Sequence, residues 1–311
     1  MILAIDQGTT GTTCLVVDRD GRVRGRGYRE LPQSYPAPGL VEHDPHGILD
    51  TVRHAARDAI AAAGAPPVAV GITNQRETVV LWERDTGRAV HPAIVWQDRR
   101  TAARCAELAP RAAEIAARTG LVVDPYFSAT KLEWLLARDD ALRARAERGE
   151  LAAGTIDTWL LWHLTGGRVH ATDPTNASRT LLFDIDRRAW SDELCALFGV
   201  PRALLPEVRP SLGDFGVARA DALGLEVPIL GVAGDQQAAL FGQCGGAVGG
   251  AKNTYGTGAF LLLDCGARRP AGGQGSSPPS PAVPPARRRT RSKRRSSWPA
   301  RRCSGCAMGS G

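Results

Sequence analysis

Three clusters in the 311-residue chain have residue types and spacing suited to chemistry. The first is Asp6-Gln7-Gly8-Thr9-Thr10-Gly11-Thr12-Thr13, set between the apolar runs Ile2–Ile5 and Cys14–Val17. It reads as a tight turn between two strands. Gly8 and Gly11 permit positive φ and a close approach of backbone N–H groups to whatever lies above the turn. Four threonines add hydroxyl donors, and such a concavity suits a phosphate group. Asp6, ending the first strand, is placed to hold a magnesium ion directly or through water. Taken alone, the stretch reads equally as an ordinary Thr-rich hairpin.

The second cluster is Arg76-Glu77, which follows the apolar run Val68–Ile72 and Asn74-Gln75. A charged pair there sits at a strand end, where α/β clefts open. Arg donates up to five hydrogen bonds and a carboxylate accepts several, so together they can bracket a small polyhydroxylated molecule. A surface salt bridge is the plainer alternative. The third is Asp235 in Ala233-Gly234-Asp235-Gln236-Gln237, between a strand and a helix. It could take a proton from a hydroxyl, or simply cap the helix. Trp96 and Tyr126 are aromatics beside polar residues, suited to a site wall or to packing. His43, His46, His91 and His163 lack metal-ligand spacing, and Cys303-x-x-Cys306 lacks two further ligands for zinc.

The elements that must position these residues follow from periodicity. Val23–Leu31 reads as a third strand. Asp44-Pro45 opens a helix running to about Ala63, with Ile48, Val52, Ala55, Ala56, Ala59 and Ile60 on one face. Val68–Ile72, Thr78–Glu83 and Ala93–Trp96 read as strands. Residues 99–118, 130–147 and 155–165 read as helices, with another inside 192–205. Val227–Val232 is a strand, followed by a helix from about Ala238. Asn253–Leu263 forms a second hairpin of the same kind as the first, which suggests two related halves facing one cleft. The pattern is mixed α/β.

Composition narrows the classes. No 18-residue apolar run is present, so no membrane span is expected. The N-terminus lacks a basic start and does not read as a signal peptide. Seven scattered cysteines suit a reducing cytoplasm. The net charge of +7 is misleading, because eleven basic residues and no acid follow Asp264. Without them the body has 28 basic against 32 acidic residues, which argues against nucleic acid as a partner. Beyond about Gly266 apolar periodicity stops, and the Gly/Pro/Ser-rich, then basic, stretch 267–311 reads as disordered.

Taken together the phrases are specific. Asp6-Gln7-Gly8-Thr9-Thr10, Ile72-Thr73-Asn74-Gln75-Arg76-Glu77-Thr78, Ile94-Val95-Trp96-Gln97-Asp98-Arg99-Arg100, Asp124-Pro125-Tyr126-Phe127-Ser128, Thr175-Asn176-Ala177-Ser178-Arg179-Thr180, Gly234-Asp235-Gln236-Gln237-Ala238 and Ala251-Lys252-Asn253-Thr254-Tyr255-Gly256-Thr257-Gly258 stand in the chain in that order. Over residues 1 to about 266 their order and spacing resemble those of glycerol kinases, within the FGGY carbohydrate kinases.

The resemblance implies an actin-like, ribonuclease H-like ATPase domain over residues 1–245 and the start of a second such domain over 246–266. It implies ATP, Mg²⁺ and glycerol in one cleft, and homo-oligomers as a possibility. Residue by residue, it implies that Arg76, Glu77, Tyr126, Asp235 and Gln236 bind glycerol hydroxyls while Trp96 and Phe260 pack on its carbons. Thr9, Thr10, Gly11 and Thr257 would contact nucleotide phosphates, Asp6 would help hold Mg²⁺, and Asp235 would be the general base. Thr13 stands where close relatives often carry Arg, so no phosphate contact is implied there. Family members continue well past the second hairpin. The Ser/Pro/Arg stretch after Gly275 reads as a gene translated out of frame, and the chain as written is expected to be impaired as a kinase.

Overall fold

The computed structural model of the chain describes residues 1–255 and 259–267. Strands β1 (Ile2–Gln7), β2 (Gly11–Val17) and β3 (Val23–Glu30) form an antiparallel meander, followed by helix α1 (Pro45–Ala63) and strand β4 (Ala69–Asn74). β4 pairs parallel to β1, with Ile2 opposite Ala69 and Gln7 opposite Asn74. Strand β5 (Val227–Gly234) lies parallel on the far side of β4, and the short strand Val217–Ala218 closes that edge. The β1, β4 and β5 carboxyl ends therefore meet at one rim. Helix α2 (Asp235–Cys244) starts from that rim, and the hairpin β6 (Ala251–Tyr255) and β7 (Ala259–Leu263) follows.

α1 forms where its caps predict. Asp44 accepts the amide of His46 at 3.0 Å, Pro45 takes the first helical position, and Gly64 ends the helix in the left-handed region at φ 69°. Ile48, Val52, Ala55, Ala56 and Ala59 bury its apolar face on the sheet. The approach is close: a Cβ at Gly25 or Gly27 would lie 2.0 Å from the carbonyl oxygen of Ala59 or Ala55. A second core lies around a four-stranded sheet ordered 42–43, 93–94, 79–83 and 151–155. That core includes Phe127, Leu132, Leu181 and Phe183, on the segments that bring Tyr126 and Arg179 to the rim.

Several expected elements are altered. The helix expected over 99–118 begins at Ala102 and breaks around Pro110, which has no N–H to donate, before resuming at Ala112. The one expected over 130–147 splits where Asp139 turns out of the helix and caps the next, accepting from Ala141 and Leu142. Leu151–Thr155, to which no strand was assigned, pairs antiparallel with Val79–Glu83. Its small residues gave too weak a pattern to register. Neither Gly8 nor Gly11 uses the positive φ that a glycine permits. Gly11 is instead demanded by contact, since a Cβ there would lie 2.6 Å from the Arg29 carbonyl oxygen. The second hairpin forms as expected, and the stretch 267–311, read as disordered, lies outside the described residues except for Ala267.

Candidate active site

The site is built where β1 and β4 end. The amide of Gln75 donates to the Gln7 carbonyl at 2.7 Å, and the two side-chain amides meet at 3.0 Å. Asn74 reaches Asn176 at 3.0 Å. This buried amide layer fixes the direction in which the chain leaves β4. Arg76 is buried rather than on the surface, and its partner is not its neighbour Glu77. Its Nε lies 3.2 Å from Asp235 Oδ1, and its guanidinium sits 5.8 Å from the Phe260 ring centre.

Glu77 is 1% exposed and has φ +65°, rare for a residue with a side chain. The Thr78 amide donates across it to the Arg76 carbonyl at 2.7 Å, closing a three-residue turn. Two contacts hold this strained conformation. Ser128 Oγ donates to the Glu77 carbonyl at 2.9 Å, and Arg179 Nε donates to its carboxylate at 2.6 Å. Arg179 also lies 5.0 Å from the Phe127 ring centre. The expected pair thus becomes two, Arg76–Asp235 and Arg179–Glu77, and the surface alternative is excluded.

Asp235 opens α2, with Gly234 as the capping residue, so the helix starts three residues before its expected Ala238. Its Oδ1 accepts the Gln236 amide at 2.6 Å. Burial raises the pKa of Asp235 and Arg76 pulls it back down. Asp6, although still reached by solvent, is closely hemmed in. Burial first, and the Asp235 charge second, push its pKa up to about 6.

The aromatic wall is mutually braced. Trp96 Nε1 donates to Thr9 Oγ1 at 2.9 Å, and the Trp96 ring meets Tyr126 and Phe260 edge-on at 5.4 and 6.4 Å. Burial, and then Glu77, push the Tyr126 hydroxyl well above its ordinary pKa, so it stays protonated and able to donate.

Thr9, Thr10, Arg76, Glu77, Trp96, Tyr126, Asp235, Gln236 and Phe260 together line one cavity of about 190 Å³. Asp6 and Gly11 are not among the lining residues, although Asp6 is near enough to Asp235 to feel its charge. Thr12, one of the four threonines expected to offer hydroxyls, is turned away and bonds Thr51 at 2.8 Å under the sheet. Thr257 lies outside the described residues. Sequence reasoning missed Gln75 and Thr254 as lining residues and Arg179 as the partner of Glu77. The available signal for Arg179 was a charge inside the otherwise small, polar phrase Thr175–Thr180.

A family model described as the N-terminal domain of the FGGY family of carbohydrate kinases matches residues 1–242. The chain belongs to the FGGY carbohydrate kinases. A glycerol kinase of Thermus brockianus is 59% identical over 272 residues, covering 86% of this chain and 55% of that protein. One from Methylibium petroleiphilum is 57% identical over 279 residues, covering 88% and 56%. This FGGY chain thus spans about half the length of the curated relatives it matches. Among solved structures, a Plasmodium falciparum glycerol kinase with ADP superposes with a TM-score of 0.81 at 36% identity, covering 84% of this chain and 54% of that one. A xylulose kinase from Brucella ovis gives 0.74 at 29%, covering 83% and 53%. The FGGY kinases have an actin-like ATPase fold, which the α/β sheet and rim described above share.

Proposed function

We propose that this site phosphorylates the terminal hydroxyl of glycerol with ATP as donor, giving sn-glycerol 3-phosphate. The observation that carries the reading is the convergence of Arg76, Glu77, Tyr126, Asp235 and Gln236 with Trp96 and Phe260 on one small cavity. A triol needs donors and acceptors within a few ångströms of one another and an apolar surface for its carbons. The guanidinium, phenol and amide supply donors, the two carboxylates supply acceptors, and the rings supply the surface. The names of the relatives, at 57–59% identity, support the same substrate.

Asp235 is the group placed to accept the proton of the attacking hydroxyl, and its upward pKa shift suits a base. Thr9 and Thr10 on the facing turn would contact the transferred phosphate, with Gly11 in the same turn and Thr257 from the second hairpin. Phosphoryl transfer depends on alignment and charge neutralisation more than on covalent help. The residues fit Mg²⁺. Asp6 offers hard carboxylate oxygens, and the charge of Asp235 already disfavours its ionised form, which a cation would reverse. Among the described residues no group of three or more His, Cys, Asp or Glu could hold a metal, so waters and phosphate oxygens would complete the shell, as Mg²⁺ prefers. When bound, the ion would supply charge neutralisation at the phosphates. The reading places the protein in the cytoplasm; among the described residues, no helix is long and apolar enough to cross a membrane.

The test is glycerol-dependent ADP formation by the purified chain. The reading expects turnover with glycerol above that with xylulose, and a fall of about 10²–10⁴-fold in Asp235→Asn. Glycerol binding without any ADP formation would mark the 311-residue chain as a non-catalytic remnant. The absence of both glycerol binding and turnover would refute the proposal.

A further inference from the structure

Lys252, on β6, is 6% exposed and faces the cavity's Asp235 side. Its Nζ donates to Gln236 Oε1 at 2.8 Å and also contacts Thr254 Oγ1. Thr254 Oγ1 donates to the same Gln236 oxygen at 3.0 Å. On the other side of the amide, Gln236 Nε2 lies 3.3 Å from Asp235 Oδ2. A glutamine amide has two ends of nearly equal shape, and only its partners decide which way it points. An ammonium group has donors and no acceptor. It can face the oxygen end and never the NH₂ end.

We propose that Lys252 is a positioning residue that locks the Gln236 amide with its NH₂ toward Asp235. A ligand hydroxyl set against both Gln236 Nε2 and Asp235 Oδ2 must then accept from the amide and direct its own proton at the carboxylate. The hydroxyl is sorted before any chemistry occurs: its lone pair is occupied and its proton aims at the base. With the amide reversed, the Gln236 oxygen would compete with Asp235 for that proton and repel the carboxylate. Thr254 alone would not enforce the choice, because a hydroxyl can donate or accept. Lys252 thereby ties the second hairpin to the base on α2. The inference about the ligand hydroxyl rests on the glycerol reading, whereas the amide orientation does not.

The test uses the full 311-residue chain labelled with ¹⁵N. The Gln236 side-chain NH₂ pair is assigned from its disappearance in Gln236→Leu. In Lys252→Met the pair is expected to shift and to broaden or double as the amide samples both orientations. Glycerol affinity, by calorimetry, is expected to fall about tenfold, the scale of one hydrogen bond to a charged group. Lys252→Arg, again a pure donor, restores the single pair, and Thr254→Val, whether or not it moves the pair, keeps it single. Lys252→Gln, which can accept as well as donate, gives the same readout should the Met variant unfold. An NH₂ pair unaltered by Lys252→Met, or doubled as much by Thr254→Val, overturns the inference even if glycerol binds. A pair that responds as described in a chain that binds no glycerol upholds the amide lock and counts against the glycerol reading.

Discussion

On one wall of the cavity, where β4 ends and α2 begins, each charged side chain meets a partner. Arg76 faces Asp235, Arg179 holds Glu77, and Ser128 pins the Glu77 backbone. On the other wall, the Asp6–Thr13 turn, Thr9 alone has its hydroxyl engaged from across the cavity among the described residues, by Trp96, and Asp6 faces a like charge in Asp235. The first wall is assembled before any ligand arrives. The second is electrostatically unfinished, with a carboxylate that gains from an added cation. The contrast suits an order of events in which a polyol finds a rigid seat while the phosphates and their ion complete the opposite side. Preorganisation of this kind lowers the ordering cost of binding.

Four substitutions would break or sharpen that contrast, beginning with the largest expected effect. Lys131 is fully buried beneath the rigid wall and donates to the Tyr126 and Phe127 carbonyls at 2.9 and 3.4 Å. Burial pulls its pKa down to about 7 from 10.5, against the upward pull of Glu77, Asp98 and Asp124. Between those values the unfolded chain binds more protons than the folded one. Stability therefore rises with pH from about 7 to 10.5 and is flat below. Lys131→Met is expected to remove that slope, a difference on the order of a few kcal/mol across the window, measured by urea unfolding at a series of pH values.

Next, Glu77→Gln removes the charge that Arg179 holds. Glycerol affinity should drop by about 1.5–3 kcal/mol, or roughly 10–150-fold, in calorimetry, with the fold intact by circular dichroism. Ser128→Ala leaves the buried Glu77 carbonyl without its donor and frees the strained turn. A stability loss of about 1–3 kcal/mol in denaturant unfolding is expected. The smallest effect belongs to the opposite wall. Asp6→Asn removes a like charge from Asp235, so Tm without ligand should rise slightly, by about 1–2 °C in calorimetric melting. A fall in Tm would mean that Asp6 is already satisfied and that the two walls do not differ.

Much of this was legible from residue types. The caps of α1 and its apolar stripe placed the helix to within a residue, and the polar phrases after apolar runs located the rim. The partner choices were not legible. Adjacent Arg76 and Glu77 suggest each other, yet Glu77, on a left-handed backbone, takes its hydrogen bond from Arg179, 102 positions away, while Arg76 reaches Asp235. Nothing in the residue type of a glutamate announces positive φ. The turn glycines were read as permitting positive φ, whereas the demand at position 11 is contact with the neighbouring strand. Likewise Thr12 matches its neighbours in type and differs only in pointing toward Thr51, a matter of strand alternation.

The central claim is that the rigid wall seats glycerol on its own. Calorimetric titration of glycerol, without nucleotide or magnesium, into the wild-type chain, Arg76→Ala and Asp6→Asn tests it most directly. The account predicts binding to wild type, an unchanged affinity in Asp6→Asn, and a loss of at least about 100-fold in Arg76→Ala, which also strands Asp235 as an unpaired carboxylate. Equal losses in both variants, or an Arg76→Ala chain that binds as wild type does, would contradict it.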